Sequence, residues 1–125
     1  MPERRAMIAE DSLLILVALE MLLEQHAIRI AGQASTVAEA RALIDIGNFD
    51  IAILDINLHD EMVFPMADLL CQRGIPVIFT TGYAPSEMRP ARFAHVPIIQ
   101  KPYDAEALMV LVEQAFIRAS APCMP

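Results

Sequence analysis

Four short apolar runs in this chain each stop at residues that handle phosphate and metal ions. Ala6–Ala9 stops at Glu10-Asp11, Ile51–Leu54 at Asp55, Val77–Thr80 at Thr81-Gly82, and Val96–Gln100 at Lys101-Pro102. Carboxylate oxygens are hard ligands suited to Mg²⁺ or Mn²⁺, which take one or two carboxylates and keep several waters. Two carboxylates about 4 Å apart repel by roughly 4 kcal/mol at an effective dielectric near 20, so three gathered in one crevice call for a proton or a cation. Asp55 stands alone at its strand end. Flanked by a divalent ion and the Lys101 ammonium, it is the candidate nucleophile toward phosphorus, because both cations offset the charge on an incoming phosphoryl group. Glu10 and Asp11 form the pair that would hold the ion directly or through water. The Thr81 hydroxyl and the Gly82 backbone N–H are candidate donors to phosphoryl oxygens.

Such chemistry needs elements that bring the four run ends together. The segment Ser12–His26 carries Leu13, Leu16, Val17, Leu19, Leu22 and Leu23 at broadly helical spacing, which predicts a first helix with those residues buried. Ile28–Ala31 reads as a strand. Thr36 with Glu39 has the form of a capping box, Ala40, Leu43 and Ile44 give the second helix its buried stripe, and Gly47 stops it. A third helix is expected after Pro65, a first-turn residue, ending at Gly74. Asp104 is a good N-cap for a last helix buried through Leu108, Leu111, Val112, Ala115 and Phe116. Between Tyr83 and Val96, Pro85 and Pro90 leave room only for a short, weak fourth helix.

The resulting alternation, βαβαβαβαβα, predicts a parallel sheet covered by helices on both faces, a flavodoxin-like doubly wound (βα)5 sandwich with strand order 2-1-3-4-5. In that order the first and third strands are neighbours at the switch point, so Glu10, Asp11 and Asp55 meet. Residues 1–120 are expected to form one domain and residues 121–125 a frayed tail. Met21, Met66 and Met109 are read as core, Cys71 as a small core-facing hydrophobe, and Met88 as facing a partner. His26, His59 and His95 are scattered and are not read as ligands.

Composition narrows the class. The chain has 125 residues, 56% of them apolar, with four glycines and a formal charge of −7. That length and apolar content suit one globular domain, and the negative charge argues against binding a nucleic-acid backbone. The apolar run Leu13–Leu19 is far short of the roughly 20 residues that span a bilayer, and the N-terminus lacks the apolar core of a signal peptide. No membrane association and a cytoplasmic location are expected. Cys71 and Cys123 suggest neither a zinc site nor a disulfide framework.

An acidic pair after strand one, Asp55, Thr81-Gly82 and Lys101-Pro102, in that order, resembles the CheY-like receiver domain of two-component response regulators, over about Arg4 to Ala119. Taken singly, a strand-end Asp or Thr is as readily a cap or turn former; the ordered set carries the likeness. The resemblance implies that Asp55 accepts a phosphoryl group from the phosphohistidine of a sensor histidine kinase in a Mg²⁺-dependent relay, with the backbone carbonyl of Asn57 completing the metal site. Phe79-Thr80-Thr81-Gly82-Tyr83 is similar to the FAT GUY group of receivers, with Thr80 in place of Ala. Ile98 occupies the position of the usual aromatic switch residue, and Tyr83 is the candidate to replace it. The loop Ile56–Glu61 lacks the family's usual proline and glycine, so an unusual conformation is expected there. The implied protein is a stand-alone receiver acting by contact with a downstream protein of unknown identity, without turnover of an external substrate. The resemblance also allows a homodimer through the helix 4–strand 5–helix 5 face.

Three rivals have distinct signatures. A phosphohydrolase with an aspartyl-phosphate usually needs a second Asp two residues after the nucleophile, where this chain has Asn57. A flavodoxin-type cofactor carrier needs a glycine- and hydroxyl-rich phosphate loop after strand one, where Glu10-Asp11 would repel phosphate. A pseudo-receiver would bind a partner without being phosphorylated.

Overall fold

The computed structural model describes residues 3–82 and 89–120. Strand β1 (Arg4–Ala9) leads into α1 (Leu13–Gln25), β2 (Ile28–Ala34), α2 (Val37–Ile46) and β3 (Ile51–Asp55). A two-residue ladder, β4 (Asn57–Leu58) with β5 (Glu61–Met62), precedes α3 (Phe64–Gln72) and β6 (Val77–Thr81). A 3₁₀ turn (Ala91–Phe93), β7 (Ile98–Gln100) and α4 (Ala105–Ser120) complete the described residues. The main sheet runs β2-β1-β3-β6-β7, every pair parallel. With the small hairpin set aside, this is the expected order 2-1-3-4-5.

Strand alternation divides the core in two. Met7, Ala52, Leu54 and Phe79 point to the face covered by α2 and α3, while Ile8, Ile51, Ile53 and Ile78 point to the face covered by α1 and α4. Because both faces are buried, β3 and β6 are buried at every position, and their sequences read as continuous apolar runs. Phe79 lies edge-on to both Phe64 and Phe93, with centroids 5.7 and 5.6 Å away, an arrangement that aromatic quadrupoles favour.

Local signals set the helix ends. Thr36 Oγ1 accepts the Glu39 N–H at 3.1 Å, but the Glu39 carboxylate reaches one residue further back than a capping box requires, to the N–H and hydroxyl of Ser35. Gly47 closes α2 in the left-handed region at φ 68°, where glycine avoids the usual penalty. Asp104 accepts the Ala107 N–H at 3.1 Å and starts α4.

Several expectations are corrected. Leu13, Val17 and Met21 are not core: they are 73%, 42% and 58% exposed. Only Leu16, Leu19 and Leu23 of α1 are buried, because a helix on a sheet buries one stripe, and α1 is apolar nearly all round. Cys71 is exposed, since Phe64, Met66, Ala67 and Leu70 already supply the buried positions of α3. Strand β2 runs three residues further than Ala31. Tyr83 and Met88, with the first half of the expected fourth helix, lie outside the described residues, as does the tail 121–125. Within the described part of that segment, Ala91–Phe93 is a single 3₁₀ turn, tied to α3 by a two-pronged Arg92–Asp68 contact at 2.9 Å.

Candidate functional site: an acidic crevice at the sheet edge

In a parallel sheet all carboxyl ends share one edge, and backbone bonds keep this one level. Glu10 N–H donates to Ala34 O, Ile56 N–H to Thr80 O, and Lys101 N–H to Thr81 O at 2.7 Å. The Lys101–Pro102 peptide is cis. Along this edge lies a crevice of about 420 Å³ whose lining includes Asp11, Asp55, Asn57, Thr81, Gly82 and Lys101. Thus every sequence-predicted site residue that is described comes to one place, Glu10 lying beside the crevice in contact with Lys101.

Lys101 is the shared partner. Its Nζ lies 2.7 Å from Glu10 Oε1 and 2.8 Å from Asp55 Oδ2. The other Asp55 oxygen, Oδ1, accepts the Asn57 N–H at 3.3 Å. Thr81 is buried, and Gly82 is exposed with open space where a Cβ would stand.

Burial and neighbouring charge tune these groups in different directions. Burial raises the pKa of the Glu10 carboxyl, and the facing Asp55 charge adds to it, more than Lys101 and the Ser12 N–H offset. Burial alone would lower the Lys101 ammonium, yet the Asp55 and Glu10 carboxylates hold it above its ordinary value. Partial burial works to raise the Asp11 carboxyl, but hydrogen bonding, first from the His59 N–H, brings it below its ordinary value. Tyr103, half-buried nearby, is pushed up first by burial and then by the Glu10 and Asp55 charges.

The donor set fits a hard divalent cation. Glu10, Asp11 and Asp55 each offer a carboxylate oxygen, and these atoms lie within 4.8 Å of one another, while a single ammonium offsets only part of the charge. Gathered carboxylates of this kind leave a charge deficit that an ion would fill.

Comparison with known proteins decides the family. Residues 6–113 match the response regulator receiver domain. The chain belongs to that family. This receiver is 28% identical over 108 residues to the sensory transduction protein LytT of Bacillus cereus, covering 84% of the chain and 44% of LytT. It spans about half the length of the curated relatives it matches. The solution structure of SdrG from Sphingomonas melonis Fr1 superposes with a TM-score of 0.78 at 34% identity, covering 97% of this chain and all of that one. A BeF3-activated conformation of SdrG matches at 0.75 and 33%, covering 90% and 95%. The PhyR receiver domain of Erythrobacter litoralis matches at 0.81 and 26%, covering 100% and 98%. The receiver has an α/β CheY-like fold, and among its described residues no helix is long and apolar enough to cross a membrane.

Sequence reasoning missed one participant. The His59 N–H donates to Asp11 Oδ2 at 3.0 Å, from a hairpin whose central residues His59 and Asp60 have φ values of 47° and 66°. The signal was present in the missing proline, since a proline at position 59 would have no N–H to give.

Proposed function

We propose that this receiver is a phosphorylation-controlled switch of a cytoplasmic two-component pathway, with Asp55 as phosphoacceptor and a sensor histidine kinase as donor. The observation that supports it is the Lys101 ammonium bridging Glu10 and Asp55 at 2.7 and 2.8 Å, at the mouth of a crevice that also holds Asp11, Thr81 and Gly82. Glu10, Asp11 and Asp55, with the Asn57 carbonyl, would hold Mg²⁺ or Mn²⁺; when bound, the ion neutralises negative charge on the phosphoryl oxygens.

The chain's own residues supply the remainder. An Asp55 carboxylate oxygen bonds to phosphorus as the N–P bond to the donor imidazole breaks, the electron pair leaving with the imidazole nitrogen. Lys101 then exchanges its Asp55 contact for a phosphoryl oxygen, which the Thr81 hydroxyl and Gly82 N–H also meet. Preorganised donors of this kind stabilise charge where it develops. The reaction modifies the protein itself, and the output is contact with a downstream protein. The exposed apolar side chains of Leu13, Leu14 and Val17 on α1, within two to six residues of Asp11 along the chain, are the surface proposed to receive the donor. The receiver described as a BeF3-activated conformation supports an activated state in this fold.

Intact mass after incubation with acetyl phosphate and Mg²⁺ tests the reading. Wild type gains one phosphoryl group and Asp55→Asn gains none. A wild type that takes up nothing from any small donor or kinase contradicts it and favours a constitutive binding module.

A further inference from the structure

We infer that the hairpin of β4 and β5 is a backbone clamp on the ion-binding carboxylates. It grips Asp55 through the Asn57 amide and Asp11 through the His59 amide, so ion affinity depends on the hairpin's backbone and not on the His59 ring. This inference rests on the reading of the crevice as a divalent-ion site.

The two carboxylates differ in how they are held. Asp55 is buried and paired with Lys101. Asp11 is exposed, and a solvated carboxylate loses rotational freedom when it must face an ion. The His59 N–H, 48 residues away in sequence, donates to Asp11 Oδ2 at 3.0 Å and removes part of that freedom in advance. A carboxylate has about four lone-pair positions, so this bond leaves Asp11 able to bind a cation.

The hairpin is firmly seated. Asn57 pairs with Met62 and Leu58 with Glu61, the Val63 N–H closes the base on Ile56 O at 2.8 Å, and Leu58 and Val63 are fully buried. Its tip carries two consecutive left-handed residues, His59 at φ 47° and Asp60 at φ 66°, as a two-residue primed turn requires. Neither is glycine, but His and Asp enter the left-handed region more readily than most residues, and the turn presents the His59 N–H to Asp11. Linkage is reciprocal: whatever the clamp adds to ion affinity, the ion returns as stability of the hairpin.

The test is Mg²⁺ affinity by calorimetry on the metal-free full chain, with Asp11→Asn as the control that weakens the site. His59→Gly keeps both the N–H and the left-handed backbone, and its affinity should stay within about twofold of wild type. His59→Pro has neither, and should bind about 10–100-fold more weakly, the usual loss when an outer-shell partner of a metal ligand is removed. Equal affinity in His59→Pro overturns the clamp, and so does an equal loss in His59→Gly, which would assign the effect to the imidazole. If His59→Pro does not fold, hydrogen exchange of the His59 amide in wild type decides: slowing by about tenfold at saturating Mg²⁺ supports the clamp, and unchanged exchange overturns it. A folded wild type that binds no Mg²⁺ overturns the ion site and the clamp with it.

Discussion

Lys101 holds two carboxylates at once, and this sets the charge balance of the crevice before any ion arrives. Removing one partner of a largely buried ionic group leaves uncompensated charge, at about 3–5 kcal/mol. Lys101→Met should therefore destabilise the protein in EDTA by about 3 kcal/mol, and added Mg²⁺ should restore stability more in the variant than in wild type. Urea unfolding with and without Mg²⁺ measures both. Glu10 gives a pH signature. Its folded pKa lies above the ordinary 4.5, so the native state binds its proton more tightly than the unfolded chain does. That contribution is full below pH 4.5 and is lost as pH rises through the raised value. In EDTA, wild type should lose stability relative to Glu10→Gln as pH rises from 4.5 toward neutrality, visible as a wild-type urea midpoint that falls relative to the variant's. Asp11, lowered from 3.8, acts in the opposite sense: its contribution is present above 3.8 and fades only in stronger acid.

At the level of elements, α1 poses a separate question. Leu13, Leu14, Val17 and Met21 are exposed at 73%, 82%, 42% and 58%, and contiguous apolar surface of this kind marks interaction sites more often than chance. Leu14→Glu should change stability by no more than about 0.5 kcal/mol, as surface substitutions do, leave phosphorylation by acetyl phosphate intact, and slow transfer from a protein donor. Parallel kinetics with the two donors check this. The same helix shows where sequence reading reaches its limit. Strand ends were legible because a strand buried on both faces is apolar until it stops, and the residue at the stop, whether Asp55 or Thr81, is conspicuous. Helix caps were legible because Thr36, Gly47 and Asp104 have narrow stereochemical uses. The buried face of α1 was not, since a helix apolar nearly all round satisfies the spacing on several faces, and Cys71 failed for a similar reason. The β4–β5 hairpin escaped because His59 and Asp60 carry no glycine or asparagine signal for a left-handed turn. Only the absent proline pointed there.

For the molecule as a whole, two cores on one sheet link folding to the site. Phe79 is fully buried at the centre of the α2–α3 side, in contact with Phe64 and Phe93, two residues before Thr81. Phe79→Ala should cost about 3–5 kcal/mol in urea unfolding, a large part of the roughly 5–15 kcal/mol available to a domain. Residues from four strand ends are proposed to form a single phosphoryl and ion site. Amide and lysine NMR shifts of labelled protein titrated with Mg²⁺ and then beryllofluoride, a mimic of the aspartyl phosphoryl group, test it most directly. Glu10, Asp11 and Asp55 should respond to Mg²⁺, and Asp55, Thr81, Gly82 and the Lys101 ammonium should shift together with beryllofluoride, with the second response lost in Asp55→Asn. Saturating beryllofluoride that leaves Lys101 and Thr81 unmoved, or shifts that persist in Asp55→Asn, would contradict it.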